Sequence, residues 1–340
     1  MDATIIGLAH TGKTTLLSAL SGHADAAEIA TVRVPDARVD ELGRIFETKK
    51  IVYAEIRARE AAWPGSGESS RRSETEHYLN AIKGSRLFLH VVAAARTPMM
   101  ADEPDPARDL AKLDGEMIFS DLVTIDRILE RAKKVPLDAN VKSLLERLHA
   151  HLEGDVPLFT ATLAGPERAQ LAGFNLVTLT PQLIVINTTE DAPDGADAAL
   201  LGDRLFGRHV VGFPFTLARE VSLLPAEEQD AFAKEMGLDG TAAARLAREA
   251  FAQLDLISFL TAGDKECRAW PITRGTTARE AAGEVHSDIE RGFIRAETVA
   301  YPEFVKRGSM KACRDDGILR LEGKDYLVQD GDVLVFRFNV

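Results

Sequence analysis

Gly7-Leu8-Ala9-His10-Thr11-Gly12-Lys13-Thr14, near the start of the chain, matches the pattern G-x-x-x-x-G-K-[ST] without a gap. In this pattern the glycines let backbone N–H groups curl around phosphate oxygens, and the lysine neutralises the β- and γ-phosphates. The threonine hydroxyl binds Mg²⁺, and the following helix directs its positive end at the same anion. His10 occupies a variable position, where it either touches the γ-phosphate or a metal or is a tolerated loop side chain. The sequence therefore predicts that ATP or GTP binds here with Mg²⁺.

The residues around this motif have the pattern of a strand, a loop and a helix. The apolar run at 3–6 predicts a strand, and residues 14–20 have helical spacing. Further apolar runs at 50–56, 87–95 and 183–187 alternate with helical patterns, which is typical of a parallel α/β sheet. The alternative is an empty phosphate loop in a structural domain. Nucleotide contacts are expected from Ala9, His10, Thr11, Gly12, Lys13, Thr14 and Thr15, with Thr14 also binding the metal.

The composition is that of a globular, acidic protein. Of the 340 residues, 45% are hydrophobic and 28% are charged, which excludes a disordered or fibrous chain. The net charge of −12 argues against a general polyanion binder, although residues 256–340 are close to neutral, with 13 basic and 14 acidic side chains. Two cysteines are too few for a disulfide scaffold or a cysteine-based zinc site. Without a basic leader or a long apolar run, the chain is predicted to be cytosolic, with no membrane partner.

Two regions differ from this sheet pattern. Between 105 and 154 two sets of apolar residues recur at helical spacing and are separated by Val135-Pro136-Leu137-Asp138, so we predict an inserted helical hairpin. The last part of the chain is rich in strand patterns, and residues 325–340 predict a β-hairpin around the turn Gln329-Asp330-Gly331-Asp332. Residues 64–74 (PGSGESSRRSE) are predicted to form a mobile loop.

A second loop is expected to contact the nucleotide base. Guanine-specific P-loop proteins use N-K-x-D, in which the Asp accepts hydrogen bonds from guanine. Here the strand at 183–187 runs into Asn187-Thr188-Thr189-Glu190, so Thr188 replaces the Lys and the longer Glu190 replaces the Asp. We therefore do not expect strict selection of guanine. An ordinary turn at the end of a strand is the alternative.

Several segments resemble the YchF / Obg-like ATPase family of P-loop NTPases, and the resemblance covers nearly the whole chain. In chain order they are the phosphate loop, 34–39 (VPDARV), 105–110 (DPARDL), 187–190 (NTTE) and 214–216 (PFT). In that family the pattern N-x-x-E goes with ATP being bound as well as or better than GTP. The last segment falls where the family's final base-contacting loop lies, although the usual pair there is Ser-Ala. The resemblance implies that Asn187, Glu190, Phe215 and Thr216 contact the base.

The tail has the most specific resemblance, which is to the family's TGS domain. The matching segments are 259–263 (FLTAG), 268–270 (RAW), 275–276 (GT), 286–288 (HSD), 292–297 (GFIRAE) and 322–326 (EGKDY). This resemblance implies a β-grasp fold of the kind found in translation and stringent-response proteins. We predict an α/β chain with a P-loop NTPase domain at 1–104 and 172–256, an inserted helical arm at 105–171, and a C-terminal β-grasp (TGS) domain at 257–340.

The residues that should support hydrolysis are altered. P-loop NTPases use a Thr in switch I and a D-x-x-G in switch II to hold Mg²⁺ and sense the γ-phosphate. There is no Asp between Asp40 and Asp102, and the first Gln is Gln170. The best counterpart of D-x-x-G is Glu55-Ile56-Arg57-Ala58, whose acid either reaches Mg²⁺ through a water or is a surface carboxylate. Arg57 and Arg59 are candidates for positive charge supplied in cis, and no catalytic residue is assigned.

These features predict a YchF-type nucleotide-binding protein with slow NTP hydrolysis that acts as a monomeric regulator in ribosome association or stress response. The alternative is a pseudo-NTPase that holds nucleotide without significant turnover and acts through protein or RNA partners. A small-molecule kinase is a weaker possibility, because no substrate lid is evident and the tail would have no role. The expected partner is the ribosome or its RNA, contacted through the TGS domain and the helical arm. Candidate RNA contacts, which as alternating charges could equally only solvate the tail, are Arg268, Arg274, Arg291, Arg295, Lys306, Arg307, Lys311 and Arg314.

Overall fold

The computed structural model describes residues 1–23, 28–63, 71–97, 99–100, 102–191 and 198–339. The chain forms two compact units. The first consists of Met1–Val32 and Ile56–Gln253, and the second of Arg33–Glu55 and Leu254–Val340. Residues 33–55, which the domain prediction places with the phosphate loop, thus belong to the second unit. None of the helices in the described ranges is both long enough and apolar enough to cross a lipid bilayer.

The strands belong to two sheets of six. Their bounds are β1 Asp2–Ile6, β2 Ile29–Val34, β3 Ile51–Val52, β4 Ala54–Glu60, β5 Leu87–Ala93, β6 Gln182–Asn187, β7 Val210–Phe213, β8 Leu256–Thr261, β9 Cys267–Thr273, β10 Phe293–Ala300, β11 Arg320–Glu322 and β12 Asp332–Phe338.

The helices flank these sheets or form the inserted arm. Their bounds are α1 Lys13–Ser21, α2 Ala37–Ile45, α3 Arg71–Ile82, α4 Pro106–Ala132, α5 Ala139–Glu153, α6 Gly165–Leu171, α7 Phe215–Ser222, α8 Ala226–Glu235, α9 Ala242–Gln253, α10 Ala278–Val285, α11 Ser287–Arg291, α12 Tyr301–Arg307 and α13 Met310–Asp315. Short 3₁₀ segments lie at Leu158–Thr160, Val177–Leu179 and Ala198–Leu205.

The first sheet has the strand order β2-β4-β1-β5-β6-β7, and β4, β1, β5, β6 and β7 are parallel. β5 and β6 are buried over their whole length, as expected for central strands of a parallel sheet covered on both faces. The predicted strands at 3–6, 87–95 and 183–187 and the helix at 14–20 are confirmed. The parallel arrangement brings the carboxyl ends of β1, β4 and β6 to one edge, where the phosphate loop begins.

α4 and α5 form the predicted helical hairpin. Each begins at an aspartate whose side chain accepts backbone N–H groups of the first turn: Asp105 from Arg108, and Asp138 from Asn140 and Val141. The apolar faces of the two helices meet in one buried cluster, which includes Ile118, Ile125, Leu144, Leu145, Leu148 and Leu152. The helical spacing seen in the sequence is therefore the contact face of the arm.

A buried ion pair attaches α4 to the first sheet. Arg208 and Asp114 are both fully buried, and the Nη2–Oδ2 distance is 2.6 Å. Arg208 also donates to Oε1 of Gln182 at 2.8 Å, and the same oxygen lies 3.0 Å from Nδ1 of His90. Burial lowers the pKa of His90 to about 4, so this imidazole is neutral at physiological pH. The network holds the arm's first helix at a fixed position on the central strands.

The second unit contains a mixed sheet with the order β11-β10-β12-β8-β9-β3. β12 is parallel to β8, whereas β10 and β9 are antiparallel to their neighbours β12 and β8. α10 packs on this sheet through Ala278 and Ala281, which share a core with Phe259 and Leu334. Two parallel central strands covered by a helix form the β-grasp fold implied by the sequence resemblance.

The VPDARV segment has a structural role in the second unit. Asp36 accepts the backbone N–H of Arg38 at the start of α2. The Arg38 guanidinium donates to Asp36 and also to Asp330, with Nη1–Oδ2 at 2.9 Å in the second pair. These two carboxylates raise the pKa of Arg38 above its usual value. One arginine therefore links α2 to the turn before β12.

Two sequence predictions about strands are wrong. The predicted strand at 50–56 is two strands, because β3 pairs with β9 whereas β4 pairs with β1 and continues to Glu60. The predicted hairpin at 325–340 does not form, because β12 lies between β10 and β8. The turn itself is present, with the Asp332 N–H donating to the Gln329 carbonyl at 3.1 Å. The chain before it is held instead by the buried Asp332 carboxylate, which accepts from the Tyr326 hydroxyl at 2.7 Å.

The predicted mobile loop at 64–74 falls only partly within the described structure. Residues 64–70 lie outside the described residues. Residues 71–74 are the first turn of α3, so the prediction of a loop is wrong there.

We expect Asp114→Ala to destabilise the first unit by about 3–5 kcal/mol, because Arg208 would remain buried without its carboxylate. Asp239→Ala is the matched control, since its partner Arg248 is 59% exposed and Asp239 is 70% exposed. The control should cost less than about 1 kcal/mol. Urea unfolding followed by far-UV circular dichroism measures both changes. Similar losses in the two variants would show that the buried pair does not anchor α4.

Candidate functional site

The phosphate loop joins β1 to α1 and requires glycine at two positions. Gly7 has φ 148°, and a Cβ atom there would lie 2.4 Å from the carbonyl oxygen of Val91. Gly12 has φ 100°, and its Cβ atom would lie 2.8 Å from Nδ2 of Asn187 and 3.0 Å from the ring of Phe215. A side chain at either position would push the loop away from its neighbours. Both glycines of the motif are therefore explained by the packing of this loop.

Lys13 lies beneath the loop with only 6% of its surface exposed. Its Nζ donates a hydrogen bond to the carbonyl of Leu8 at 2.7 Å. Burial lowers the pKa of Lys13 to about 8, and the negative charge of Glu60 partly opposes this effect. A buried ammonium is stable only with anionic or hydrogen-bonding partners. Phosphate oxygens in the loop would supply such partners.

The outer part of the loop is open. Ala9 and His10 are exposed, and His10 adopts a left-handed conformation with φ 65°. The His10 carbonyl accepts a hydrogen bond from the Thr97 hydroxyl at 3.3 Å, which fixes the backbone and leaves the imidazole exposed. Thr11 is buried, and its hydroxyl donates to the Leu8 carbonyl at 3.1 Å. Thr11 therefore shapes the loop with its side chain, whereas Ala9 and His10 face solvent.

A magnesium site would depend on the first turn of α1. Thr14 is exposed, and its hydroxyl makes no hydrogen bond to the described part of the chain; Thr15 beside it is half-buried. Among the described residues there is no group of three or more His, Cys, Asp or Glu side chains that could hold a metal. The residues present fit a Mg²⁺ ion held by Thr14, phosphate oxygens and water, because this ion keeps several waters when it binds nucleotides.

Asn187, at the end of β6, joins the phosphate loop to the loop after β7. Only 8% of its surface is exposed. Its Nδ2 donates to the Thr11 carbonyl at 3.4 Å, and its Oδ1 accepts the backbone N–H of Phe215 at 3.2 Å. A side chain with one donor and one acceptor is needed to satisfy both loops at once. The predicted Asn187 thus lies beside the phosphate loop.

The other predicted base contacts differ in exposure. Glu190 and Thr216 are exposed, in the segments that follow β6 and β7. Phe215 is buried, and its ring packs against Phe213 with centroids 5.3 Å apart. The Phe215 ring also limits the space at Gly12. Phe215 therefore supports the phosphate loop from behind, while Glu190 and Thr216 are accessible to a base.

The structure places Glu55, the candidate acid from the sequence, away from the phosphate loop. Glu55 is exposed and lies at the amino end of β4, before the ladder with β1 begins. β4 ends at Glu60, which is level with Ile5 at the edge of the sheet that carries the phosphate loop. The charge of Glu60 acts on Lys13, as described above. Glu60, not Glu55, is therefore the acid that the fold brings to the loop.

The two arginines beside Glu55 are not placed at the loop either. Arg57 is in register with Asp2 at the opposite end of β1. Arg59 donates from Nη2 to the Ala81 carbonyl at 3.2 Å. Neither of these contacts is with a residue of the phosphate loop.

Trp63 is a further residue that the sequence reasoning missed. Counted from Glu60, it stands at the fourth position of the D-x-x-G pattern, where other P-loop NTPases have glycine. Trp63 packs edge-on against Tyr78 of α3, with ring centroids 4.8 Å apart. Tyr78 is buried, and burial raises its pKa. The Trp63 ring is thus anchored against α3.

Because Lys13 has a pKa of about 8 in the free protein, nucleotide binding should be accompanied by proton uptake. Phosphate raises the pKa of the lysine, so uptake should be about half a proton at pH 8 and about a tenth at pH 7. ATP affinity should fall as the pH rises above 8. Calorimetry in buffers of different ionisation enthalpy measures the uptake. Lys13→Arg, whose guanidinium stays charged, should show none; equal uptake in both proteins would contradict the assignment.

We expect Glu60→Gln to lower the pKa of Lys13 further, because the Glu60 charge raises that pKa in the native protein. The pH at which proton uptake is half-maximal should therefore move down. Glu55→Gln removes a carboxylate from the other end of the same strand and should leave this pH unchanged. A shift of this pH in Glu55→Gln and none in Glu60→Gln would instead identify Glu55 as the acid that acts on Lys13.

Comparison with known proteins gives one family model and several full-length relatives. The model YchF-GTPase_C, described as "Protein of unknown function (DUF933)", matches residues 256–339. The "Ribosome-binding ATPase YchF" of Bacillus subtilis is 31% identical over 364 residues, covering 100% of both chains. The Haemophilus ducreyi protein of the same name is 32% identical and covers 99% of this chain and 98% of its own. The Escherichia coli O157:H7 protein is 30% identical over the same shares.

Two solved structures share the fold. The YchF GTPase of Schizosaccharomyces pombe superposes with a TM-score of 0.84 at 22% identity, covering 99% of this chain and 97% of that chain. A GTP-binding protein from Pyrococcus horikoshii OT3 superposes with a TM-score of 0.63 at 16% identity over 100% of both chains. Since relatives at 30% identity or more match from end to end, the chain belongs to the YchF family.

Proposed function

We propose that the protein binds ATP with Mg²⁺ at the phosphate loop and hydrolyses it slowly, as a monomeric cytosolic regulator that associates with the ribosome. The observation that carries this proposal is the buried Lys13, whose Nζ is held 2.7 Å from the Leu8 carbonyl in an intact loop. The bacterial relatives are described as ribosome-binding ATPases, which supports both halves of the proposal. Those descriptions give no support to the pseudo-NTPase alternative.

Different groups of the phosphate loop would bind the phosphates and the metal. Backbone N–H groups of the loop and the amino end of α1 bind phosphate oxygens, and Lys13 neutralises their charge. Mg²⁺, when bound, would supply positive charge that stabilises the charge developing during transfer. Thr14 would hold this ion, and Glu60, at the same edge of the sheet, would be the carboxylate available to orient its water. These roles need no residue beyond those described at the loop.

The preference for ATP rests on the base loop. Thr188 stands where N-K-x-D proteins have their lysine, so no lysine side chain can extend over the base. The shorter Thr188 side chain is buried. Glu190 is exposed and longer than the aspartate that pairs with guanine. Asn187 fixes this segment to the phosphate loop through Thr11. The loop is therefore anchored near the nucleotide but lacks the residues that select guanine.

Slow hydrolysis follows from what surrounds the γ-phosphate position. Trp63 stands where a glycine of switch II normally moves, and its ring is packed against Tyr78. Arg57 and Arg59 are not placed to stabilise developing negative charge. Positioned donors and cations supply most of the rate enhancement in phosphoryl transfer. With few of them present, turnover should be low until a partner contributes more.

The tail offers fewer free cations to RNA than its sequence suggests. Six of the eight candidate residues form ion pairs within the second unit; the pairs are Arg268–Glu266, Arg274–Asp255, Arg291–Asp288, Lys306–Glu303, Arg307–Asp316 and Arg314–Glu297. Arg295 and Lys311 form no ion pair with the part of the chain that the structure describes. We propose that these two residues, together with the arm, contact the ribosome.

The end of the helical arm is the more cationic surface. Lys133 and Lys134 are exposed between α4 and α5, next to Val135, which is 73% exposed. Within the described residues Lys133 pairs only with the exposed Glu130 in the last turn of α4, and such a pair is worth little in water. Two lysines at the end of a long hairpin can reach phosphates that a flat surface cannot.

Ribosome pelleting and ATP turnover test the two halves of the proposal separately. Wild type should hydrolyse ATP faster than Lys13→Ala and should pellet with ribosomes. Lys133→Glu/Lys134→Glu should bind ribosomes at least about fivefold more weakly, with a reduced dependence on salt. Lys234→Glu/Arg248→Glu carries the same charge change on α8 and α9 and should bind like wild type.

Turnover equal to that of Lys13→Ala, both alone and with ribosomes, would favour the pseudo-NTPase alternative. Equal weakening in the two charge-reversal variants would show that net charge, and not the arm, decides ribosome binding.

A further inference from the structure

Three arginines of the second unit surround one buried carboxylate, that of Glu297, whose side chain is only 7% exposed. Arg337 of β12 donates to this carboxylate from Nε and Nη2, at 3.0 and 3.1 Å. Arg314 of α13 donates to it from Nη2 at 3.0 Å. The hydrogen bonds from Arg337 and the charges of Arg337, Arg314 and Arg295 lower the pKa of Glu297. Glu297 is therefore ionised at neutral pH and interacts with three cations.

The strand register explains how these residues meet. Arg295 and Arg337 are directly opposite each other on β10 and β12. Val299 and Val333 form another opposite pair on the same face of the sheet, and they are buried under α12 and α13. Glu297 lies between the two pairs on β10, at the border of the covered part. Arg295 and Arg337 therefore lie just beyond the helices, and both are exposed.

This arrangement brings like charges together. Cβ atoms of directly opposite residues in an antiparallel pair are about 5 Å apart, and like charges at such positions are destabilising. The charged residues of β10 and β12 on this face, with the exposed charged residues of α13, leave a net charge of +2; they are Arg295, Glu297, Arg337, Lys311, Arg314 and Asp315. The charged residues of α12 are already paired, among themselves and with Asp316. A local conflict of charge that the fold retains is typical of a functional site.

The ion pairs with Glu297 leave both arginines able to bind a second anion. The side chains of Arg314 and Arg337 are 53% and 51% exposed. A guanidinium has five N–H groups, of which Glu297 engages one in Arg314 and two in Arg337. The remaining N–H groups match the oxygens of a phosphate. Glu297 therefore fixes the direction of the two guanidinium groups without neutralising both of them.

We propose that this cluster is a binding site for the phosphate backbone of RNA, in which Glu297 is a positioning residue and the three arginines bind phosphate oxygens. The inference rests on the proposed function, because the ribosome offers RNA as the anionic partner. It adds Arg314 and Arg337 to the free cations proposed above. Several cations on one surface suit a chain with a charge at every nucleotide. The proposal has an unusual consequence: removing the negative charge of Glu297 should weaken binding to a polyanion.

The test uses a fluorescein-labelled oligouridylate of about 12 nucleotides and the full-length protein without nucleotide. Failure of ATP turnover or of ribosome pelleting therefore leaves it unaffected. By fluorescence anisotropy, Glu297→Gln should bind this RNA about fivefold more weakly than wild type. Glu322→Gln is the matched control, because Glu322 is opposite Ala296 on the other face of the sheet and pairs with Arg320. The control should bind as tightly as wild type or slightly more tightly.

The arginines can be tested without changing Glu297. Arg295→Gln/Arg337→Gln should weaken binding about tenfold and reduce the slope of log K against log salt by about 1.4, because each phosphate contact on a single strand contributes about 0.7. Arg274→Gln/Arg291→Gln removes two other exposed arginines of the second unit and should leave the slope unchanged.

A further variant separates orientation from net charge. In a protein that carries Arg314→Gln/Arg337→Gln, the change Glu297→Gln should cause no additional loss, because the side chains that it orients are absent. Circular dichroism will verify that each variant is folded. Unchanged or tighter binding in Glu297→Gln, or equal effects of the control variants, would overturn the proposal. Competition by polyglutamate as effective as that by unlabelled RNA at the same concentration of charge would show instead that the cluster takes an acidic peptide.

Discussion

The buried ammonium of Lys13 is the constraint around which the first unit is organised. Its pKa of about 8 means that the charged form is disfavoured by on the order of 3 kcal/mol relative to water. This cost remains after the negative charge of Glu60 has partly opposed the effect of burial. A triphosphate would supply the missing negative charge. The free protein thus keeps an unfavourable charge in place, and the cost is recovered when an anion binds.

The parallel sheet makes this arrangement possible. The carboxyl ends of β1, β4 and β6 lie at one edge, so they carry the phosphate loop, Glu60 and Asn187 to the same place. Asn187 then connects the phosphate loop to the start of α7 through one donor and one acceptor. The buried Arg208–Asp114 pair sets the position of α4 on the same sheet. The phosphate loop, Glu60 and Asn187 therefore share one frame.

The features that could be predicted from the sequence are those that depend on residues close together in the chain. The phosphate loop was predictable because a turn around phosphate needs glycines at fixed spacing, and α4 and α5 were predictable because a helical face repeats every three to four residues. Glu60 was missed because the strand was predicted to end at 56. The signal was present, since Ala54, Ile56 and Ala58 are buried and alternate with three exposed charged residues. The charged residues Arg57, Arg59 and Glu60 end the apolar run without ending the strand.

Other features could not be predicted because they depend on contacts between distant residues. Nothing in Ile51-Val52 indicates that this two-residue strand pairs with β9 and not with the first sheet. The turn at 329–331 has an ordinary hairpin sequence, but β12 is paired on both sides by strands from elsewhere in the chain. The role of Phe215 was also hidden, because only the packing against Gly12 shows that its ring lies behind the loop.

The proposed function requires that the phosphate loop binds ATP. Calorimetric titration of ATP and GTP, with and without Mg²⁺, into wild type and Lys13→Ala measures this binding. Wild type should bind ATP at least as tightly as GTP, Mg²⁺ should strengthen binding, and Lys13→Ala should lose it. Binding of neither nucleotide to wild type, or equal binding to Lys13→Ala, would show that the loop is not an ATP site.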